Sequence, residues 1–139
     1  MRRFFICLGF ILISMFGFSQ EKCSLSIEFE GLKSDNGKLF IALYNDEADF
    51  LKNEIKGMEV DIKDGKAKVS FDNLVKGIYA ISSFHDKNNN GKMDTNFLGI
   101  PKEPTAMSNN AKGSFGPPKF KDAKFTISKS KTQLKIKFN

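Results

Sequence analysis

The segment from Asp86 to Asp94 carries oxygen at the spacing that hard cations use. Counted from Asp86, side-chain oxygens fall at positions 1, 3, 5 and 9, on Asp86, Asn88, Asn90 and Asp94, with Gly91 at 6 and Lys92 at 7. Calcium loops use this spacing because alternate side chains converge on one point. The glycine allows a sharp bend, and the residue at position 7 ligates through its backbone carbonyl. The pattern predicts a metal set of Asp86, Asn88, Asn90, Lys92 and Asp94, with calcium as the ion. Two features weaken it. Position 12 is Phe97, where helix-loop-helix sites place a bidentate glutamate, and only two formal negative charges are present. Affinity would be weak, about 10⁻⁴–10⁻³ M. The competing reading is an Asn/Gly-rich turn whose side chains bond their own backbone.

His85, just before this segment, is the only histidine. A hydrolytic site would pair it with Asp86 and an activated serine, yet no G-x-S-x-G occurs. A single histidine excludes sites that need two or three. Two cysteines, Cys7 and Cys23, exclude a disulfide framework and a four-thiolate zinc site. A non-enzymatic module is the leading reading, and a small periplasmic hydrolase using His85 with Asp86 is the alternative.

The chain then runs from Thr95 to Phe120 without strand periodicity and holds all four prolines. So long a loop in a compact domain is usually functional or disordered. Phe97, Leu98, Ile100, Met107, Phe115 and Phe120 predict order, because together they would form an apolar core of the loop's own. Ser108, Asn109 and Asn110 add hydroxyl and amide groups. The candidate partner-binding set is His85, Asn96, Phe97, Ser108, Asn109, Asn110 and Phe115. The competing reading is a structural cover over an open sandwich edge.

The elements that must position these residues read as short strands. Apolar residues alternate at Leu25, Ile27 and Phe29, at Leu39, Ile41 and Leu43, at Met58, Val60 and Ile62, and at Ala67, Val69 and Phe71. Phe40, Ala42 and Tyr44 fill the second face of one strand, and Gly77–Phe84 is nearly all apolar, so both predict central strands. Asp64-Gly65 predicts a tight hairpin turn. Phe125 and Ile127, then Leu134, Ile136 and Phe138, predict the last two strands, with Lys135 and Lys137 guarding an edge. A short helix is expected after Asp46, packing Phe50, Leu51 and Ile55. About seven strands joined by turns predict an all-β fold, an antiparallel Greek-key β-sandwich with one long ordered loop. The segment Phe71-Asp72-Asn73-Leu74-Val75-Lys76-Gly77-Ile78-Tyr79 resembles the F-x-x-L-x-x-G-x-Y turn of transthyretin-like sandwiches, in which a tyrosine corner anchors the turn as it does in immunoglobulin-like domains.

The first 19 residues predict a secretory leader. Arg2 and Arg3 precede an apolar stretch from Phe4 to Phe18, and Gly17-Phe18-Ser19 favours cleavage after Ser19 or Gln20. That stretch is shorter than the roughly 20 residues a spanning helix needs. Lipid attachment is not expected, because Cys7 comes too early and Cys23 follows the polar Gln20-Glu21-Lys22. A single domain over 20–139 remains, periplasmic or secreted, and touching a membrane only through its leader during export. Its lone thiol, Cys23, is expected as a buried small hydrophobe. Both arginines lie in the leader, so its cations are all lysines, interleaved with 16 acids. Phosphate and guanine recognition favours arginine, so no nucleic-acid partner is expected. The partner would be an envelope protein or polymer.

The stretch from Phe84 to Phe120 is similar to the signature of an uncharacterised bacterial exported family, domain of unknown function 2141. Its F-H-D, N-G, D-T-N-F-L-G-I-P, S-N-N-A and F-G-P-P elements are all present, as are a G-x-x-S-x-x-G turn at Gly31-Leu32-Lys33-Ser34-Asp35-Asn36-Gly37 and A-L-Y at Ala42-Leu43-Tyr44. The chain departs from it at Pro104-Thr105-Ala106-Met107, where the family has a Gly-Tyr-Gly-type stretch. The resemblance implies a small exported β-sandwich and carries over no activity or catalytic residue.

Overall fold

The computed structural model describes residues 19–139. The expected leader and Cys7 lie outside the described residues, apart from Ser19.

Eight strands form two sheets: β1 (Cys23–Glu30), β2 (Lys38–Tyr44), β3 (Lys56–Val60), β4 (Ala67–Leu74), β5 (Gly77–Asp86), β6 (Thr105–Met107), β7 (Phe125–Ile127) and β8 (Lys131–Lys137). One sheet has the order β4-β1-β8, and the other β3-β2-β5-β6, with β7 also on β5. The sheets face each other in a sandwich-like arrangement. Between them lie Leu25, Ile27, Phe29, Leu39, Ile41, Leu43, Val69, Phe71, Tyr79, Ile81, Ile127 and Ile136. These are the alternating apolar residues of each strand, because a period of two sends every second side chain to one face.

Cys23 is buried at the start of β1. β2 and β5 are central and β8 is an edge, as the patterning predicts. The Tyr79 hydroxyl donates to the Val75 carbonyl at 2.7 Å, forming the expected corner. Among the described residues no helix is long and apolar enough to cross a membrane.

Four expectations are corrected. β1 and β8 pair in parallel, so the fold is not wholly antiparallel; the first and last strands meet without a connection that would force opposite directions. Asp64-Gly65 is a tight turn with both φ angles positive, closed as expected by an antiparallel Lys63–Lys66 bridge, but the hairpin extends no further than that pair. β3 pairs with β2, and β4 with β1, so the turn carries the chain across the sandwich. Asp35 clamps it, its carboxylate accepting the amides of Asp64 at 2.8 Å and Gly65 at 2.9 Å. The segment after Asp46 forms turns and no helix. Asp46 Oδ1 accepts the Ala48 amide, but Leu51 adopts φ 62°, which ends any helical run. Phe50 is buried there, while Ile55 is exposed. An eighth strand, β6, lies within the stretch expected as loop; Thr105-Ala106-Met107 carries no apolar alternation to mark it.

The loop's apolar residues also divide. Met107 and Phe120 join Tyr44, Phe50, Ala80 and Ala123 in a second core on the outer face of the β2–β5 sheet. Phe97, Leu98, Ile100 and Phe115 do not enter it; all four are exposed.

Candidate functional site

β5 delivers His85 and Asp86 to the end of the sandwich, on opposite faces. His85 points inward and is fully buried. Its Nε2 lies 2.6 Å from the Asn36 carbonyl, so that nitrogen carries the donated hydrogen, and its backbone amide donates to the Pro104 carbonyl at 2.9 Å. Asp86 points outward, is also fully buried, and accepts the amides of Asn90 at 3.2 Å and Gly91 at 2.8 Å. The two side chains therefore form no dyad. Consecutive strand residues alternate faces, and this defeats the hydrolytic pairing.

The turn after β1 presses on the root of the loop. At Gly37, φ 76°, a Cβ would fall on the Asp86 carbonyl; at Gly31, φ 80°, it would fall on the Phe138 carbonyl. The G-x-x-S-x-x-G spacing thus places a bare backbone wherever the last strand or the loop root touches this turn.

Within the loop, two of the expected metal set, Asn88 and Asn90, bond Asp94. Asn88 Nδ2 donates to it at 2.7 Å and Asn90 Nδ2 at 2.9 Å. The two asparagine oxygens take loop amides, Asn88 Oδ1 that of Asn90 and Asn90 Oδ1 that of Lys92. Donation from Asn88 and then Asn90 holds the Asp94 carboxyl below the ordinary aspartate range, with Lys92 and Lys102 adding to it. Among the described residues no three His, Cys, Asp or Glu side chains gather closely enough to hold a metal by themselves. Any ion here must draw on asparagine and backbone oxygens as well.

Glu103 is the residue that the spacing rule missed. It is 9% exposed. Its Oε2 accepts the Asp94 amide at 3.2 Å, and its Oε1 is buried with no hydrogen-bond partner. It lines a small polar cleft with Lys87, Asn88, Asp94, Thr95 and Lys102. Its one sequence signal was being the sole acid between Thr95 and Phe120.

The partner-binding set scatters. Ser108 is fully buried and cannot line a surface. Its hydroxyl accepts the Ile81 amide at 2.9 Å and donates to the Ala123 carbonyl at 2.5 Å, bridging the gap where β6 leaves β5 and β7 joins it. Asn109 Nδ2 donates to the Asp122 and Lys124 carbonyls, and Asn110 Oδ1 accepts the Lys137 amide. These amides stitch the loop to its neighbours. Asn96 Oδ1 accepts the amides of Leu98 and Ile100, so it builds a turn. Phe97 and Phe115 remain exposed.

Above the second core, the outer face of the β2–β5 sheet is left open. Phe40 and Phe84 stack there, with centroids 4.9 Å apart and rings 8° from parallel. They floor an open groove of about 1500 Å³, walled by Met58, Leu98, Ile100 and Phe115.

The model of a family described as "Uncharacterized protein conserved in bacteria (DUF2141)" matches residues 27–135. The chain belongs to this family. The DUF2141 match runs from within β1 to within β8 and includes the loop, Glu103 and most of the groove. No curated protein and no solved structure matches the chain.

Proposed function

We propose that this DUF2141 domain is an exported, non-enzymatic binding module of the cell envelope whose Asp86–Asp94 loop takes a calcium ion. The observation that carries the reading is the unpartnered, buried Oε1 of Glu103 beside Asn88 and Asp94. A buried carboxylate oxygen without a partner is costly, and a cation removes that cost. Glu103 would supply the oxygen missing at position 12, from further along the chain. Asp86 supports the reading by fixing the loop's curvature through the Asn90 and Gly91 amides. The Tyr79 corner and the two-sheet arrangement support a relation to transthyretin-like sandwiches.

Thermal melting of residues 20–139, which contain both cores and every described strand, tests this. Calcium at about 10 mM on a site of about 0.1–1 mM should add about 1.4–2.7 kcal/mol, a shift of several degrees. Glu103→Gln and Asp94→Asn should each abolish the shift, and magnesium should not reproduce it. No calcium-dependent shift in the parent protein would reject the ion and leave Asp86–Asp94 as a self-bonded turn.

A further inference from the structure

Beyond the loop root, the chain builds a rigid apolar tip. Thr95 and Pro101 pair as an isolated antiparallel bridge, and the Lys102 amide donates to the Asp94 carbonyl at 2.8 Å. The Asn96 amide donates to the Ile100 carbonyl, and the Gly99 amide to the Asn96 carbonyl. Asn96 Oδ1 takes the amides of Leu98 at 2.9 Å and Ile100 at 3.0 Å. Four of the five amides from Asn96 to Ile100 are thus satisfied within the tip, as are the Asn96 and Ile100 carbonyls.

What the tip shows to solvent is apolar. Phe97 is 95% exposed, Leu98 68% and Ile100 55%. On the neighbouring Gly113–Gly116 bend, Phe115 is wholly exposed, and it lines the same groove as Leu98 and Ile100. Leu98, Ile100 and Phe115 share the groove and Phe97 adjoins them in the chain; large side chains at such exposure mark a surface that another phase or molecule covers.

Along this stretch of chain the exposed charge has one sign. Between Asp86 and Asp122 the exposed charged residues are Lys87, Lys92, Lys102, Lys112, Lys119 and Lys121; the two acids of that stretch, Asp94 and Glu103, are half-buried and buried. Glu54 and Glu59 stand only on the far groove wall, on another segment. An apolar tip with Lys112 on its groove and Lys102 at its root complements an interface that is apolar beneath and negative above. Bonded amides lower the cost of entering such an interface, the wet headgroup layer can still hydrate the remaining carbonyls, and lysine is drawn to anionic headgroups.

We propose that the Phe97–Ile100 tip and Phe115 insert into the headgroup region of an anionic lipid bilayer, with the surrounding lysines holding lipid phosphate. This departs from the expectation that the leader is the chain's only membrane contact. It rests on observations separate from those for calcium and stands if the calcium site fails.

Residues 20–139 are mixed with vesicles of phosphatidylcholine alone or with about one-third phosphatidylglycerol. Sedimentation should show binding to the anionic vesicles at least about tenfold tighter than to the neutral ones. The Phe97→Ser/Phe115→Ser double variant keeps every charge and removes no buried group. It should melt like the parent and bind about tenfold or more weakly. The chain has no Trp, so Phe97→Trp provides a sole tryptophan. Its emission should shift to the blue on anionic vesicles and be quenched by brominated acyl chains.

Three outcomes overturn the proposal. The first is no binding to either vesicle. The second is undiminished binding by the double variant, which would leave dispersed lysines as the attachment. The third is a concentration-dependent dimer that the double variant returns to monomer, which would make the tip a contact between copies.

Discussion

Replacing Ser108 by alanine removes one oxygen from the most demanding point in the second sheet. β6 pairs with β5 at Ser82–Phe84, and β7 pairs with it at Gly77–Tyr79. Ile81 falls in the interval, and the Ser108 hydroxyl accepts its amide at 2.9 Å while donating to the Ala123 carbonyl at 2.5 Å. Ser108, Ile81 and Ala123 are all completely buried. Alanine would leave one backbone donor and one acceptor without partners, and each such loss costs about 1–3 kcal/mol. The variant should therefore lose about 2–4 kcal/mol, the lower part of the summed range, because the acceptor keeps some freedom to relax. For a domain of this size that corresponds to a melting point lowered by roughly 6–16 °C. Urea unfolding followed by circular dichroism would measure it, with Ser114→Ala, on an exposed bend, as the control. A Ser108→Ala midpoint indistinguishable from the control would refute the claim that this hydroxyl replaces the interrupted ladder.

Two further outcomes are expected from the loop root and the turn that clamps it. Gly37→Ala should destabilise the domain by more than about 1 kcal/mol in urea unfolding, because the residue sits at φ 76° with the Asp86 carbonyl where a Cβ would go. A variant as stable as the parent would contradict that contact. The Gly65 and then Asp64 amides hold the Asp35 carboxyl below its ordinary value of 3.8. The unfolded chain binds that proton more readily, so the contribution of Asp35 is present above about pH 3.8 and is lost as pH falls through the lower folded value. Acid titration by NMR should place its midpoint below 3.8, and Asp35→Asn should flatten the acid side of the stability curve; an unchanged curve would show that the clamp contributes nothing.

Strand identity was legible because burial on one face imposes a period of two. Leu25, Ile27 and Phe29, or Val69 and Phe71, have no other way to reach a common core. The tyrosine corner was legible for a similar reason, since Val75 and Tyr79 are four residues apart and the bond is local. The bonds from Asn88 and Asn90 to Asp94 are local in the same way, within one short loop. Local chemistry of this kind is written in residue type and spacing.

Tertiary structure decided which of these groups face solvent and which are already engaged. Ser108, Asn109 and Asn110 looked like recognition groups. They are spent on Ile81, Ala123, Asp122, Lys124 and Lys137, residues as much as 27 positions away. Phe97 and Phe115 were expected both in a core of the loop's own and among its binding residues; Asn96 and the glycine-flanked bend turn them outward. Glu103 reached the candidate site only because the chain returns after the tip to pair with Asp94. The parallel meeting of β1 with β8 and the crossing at Asp64-Gly65 likewise depend on the packing of two sheets. A period of two says that a strand has a buried face, while the neighbour that covers that face is set by contacts between residues far apart in the chain.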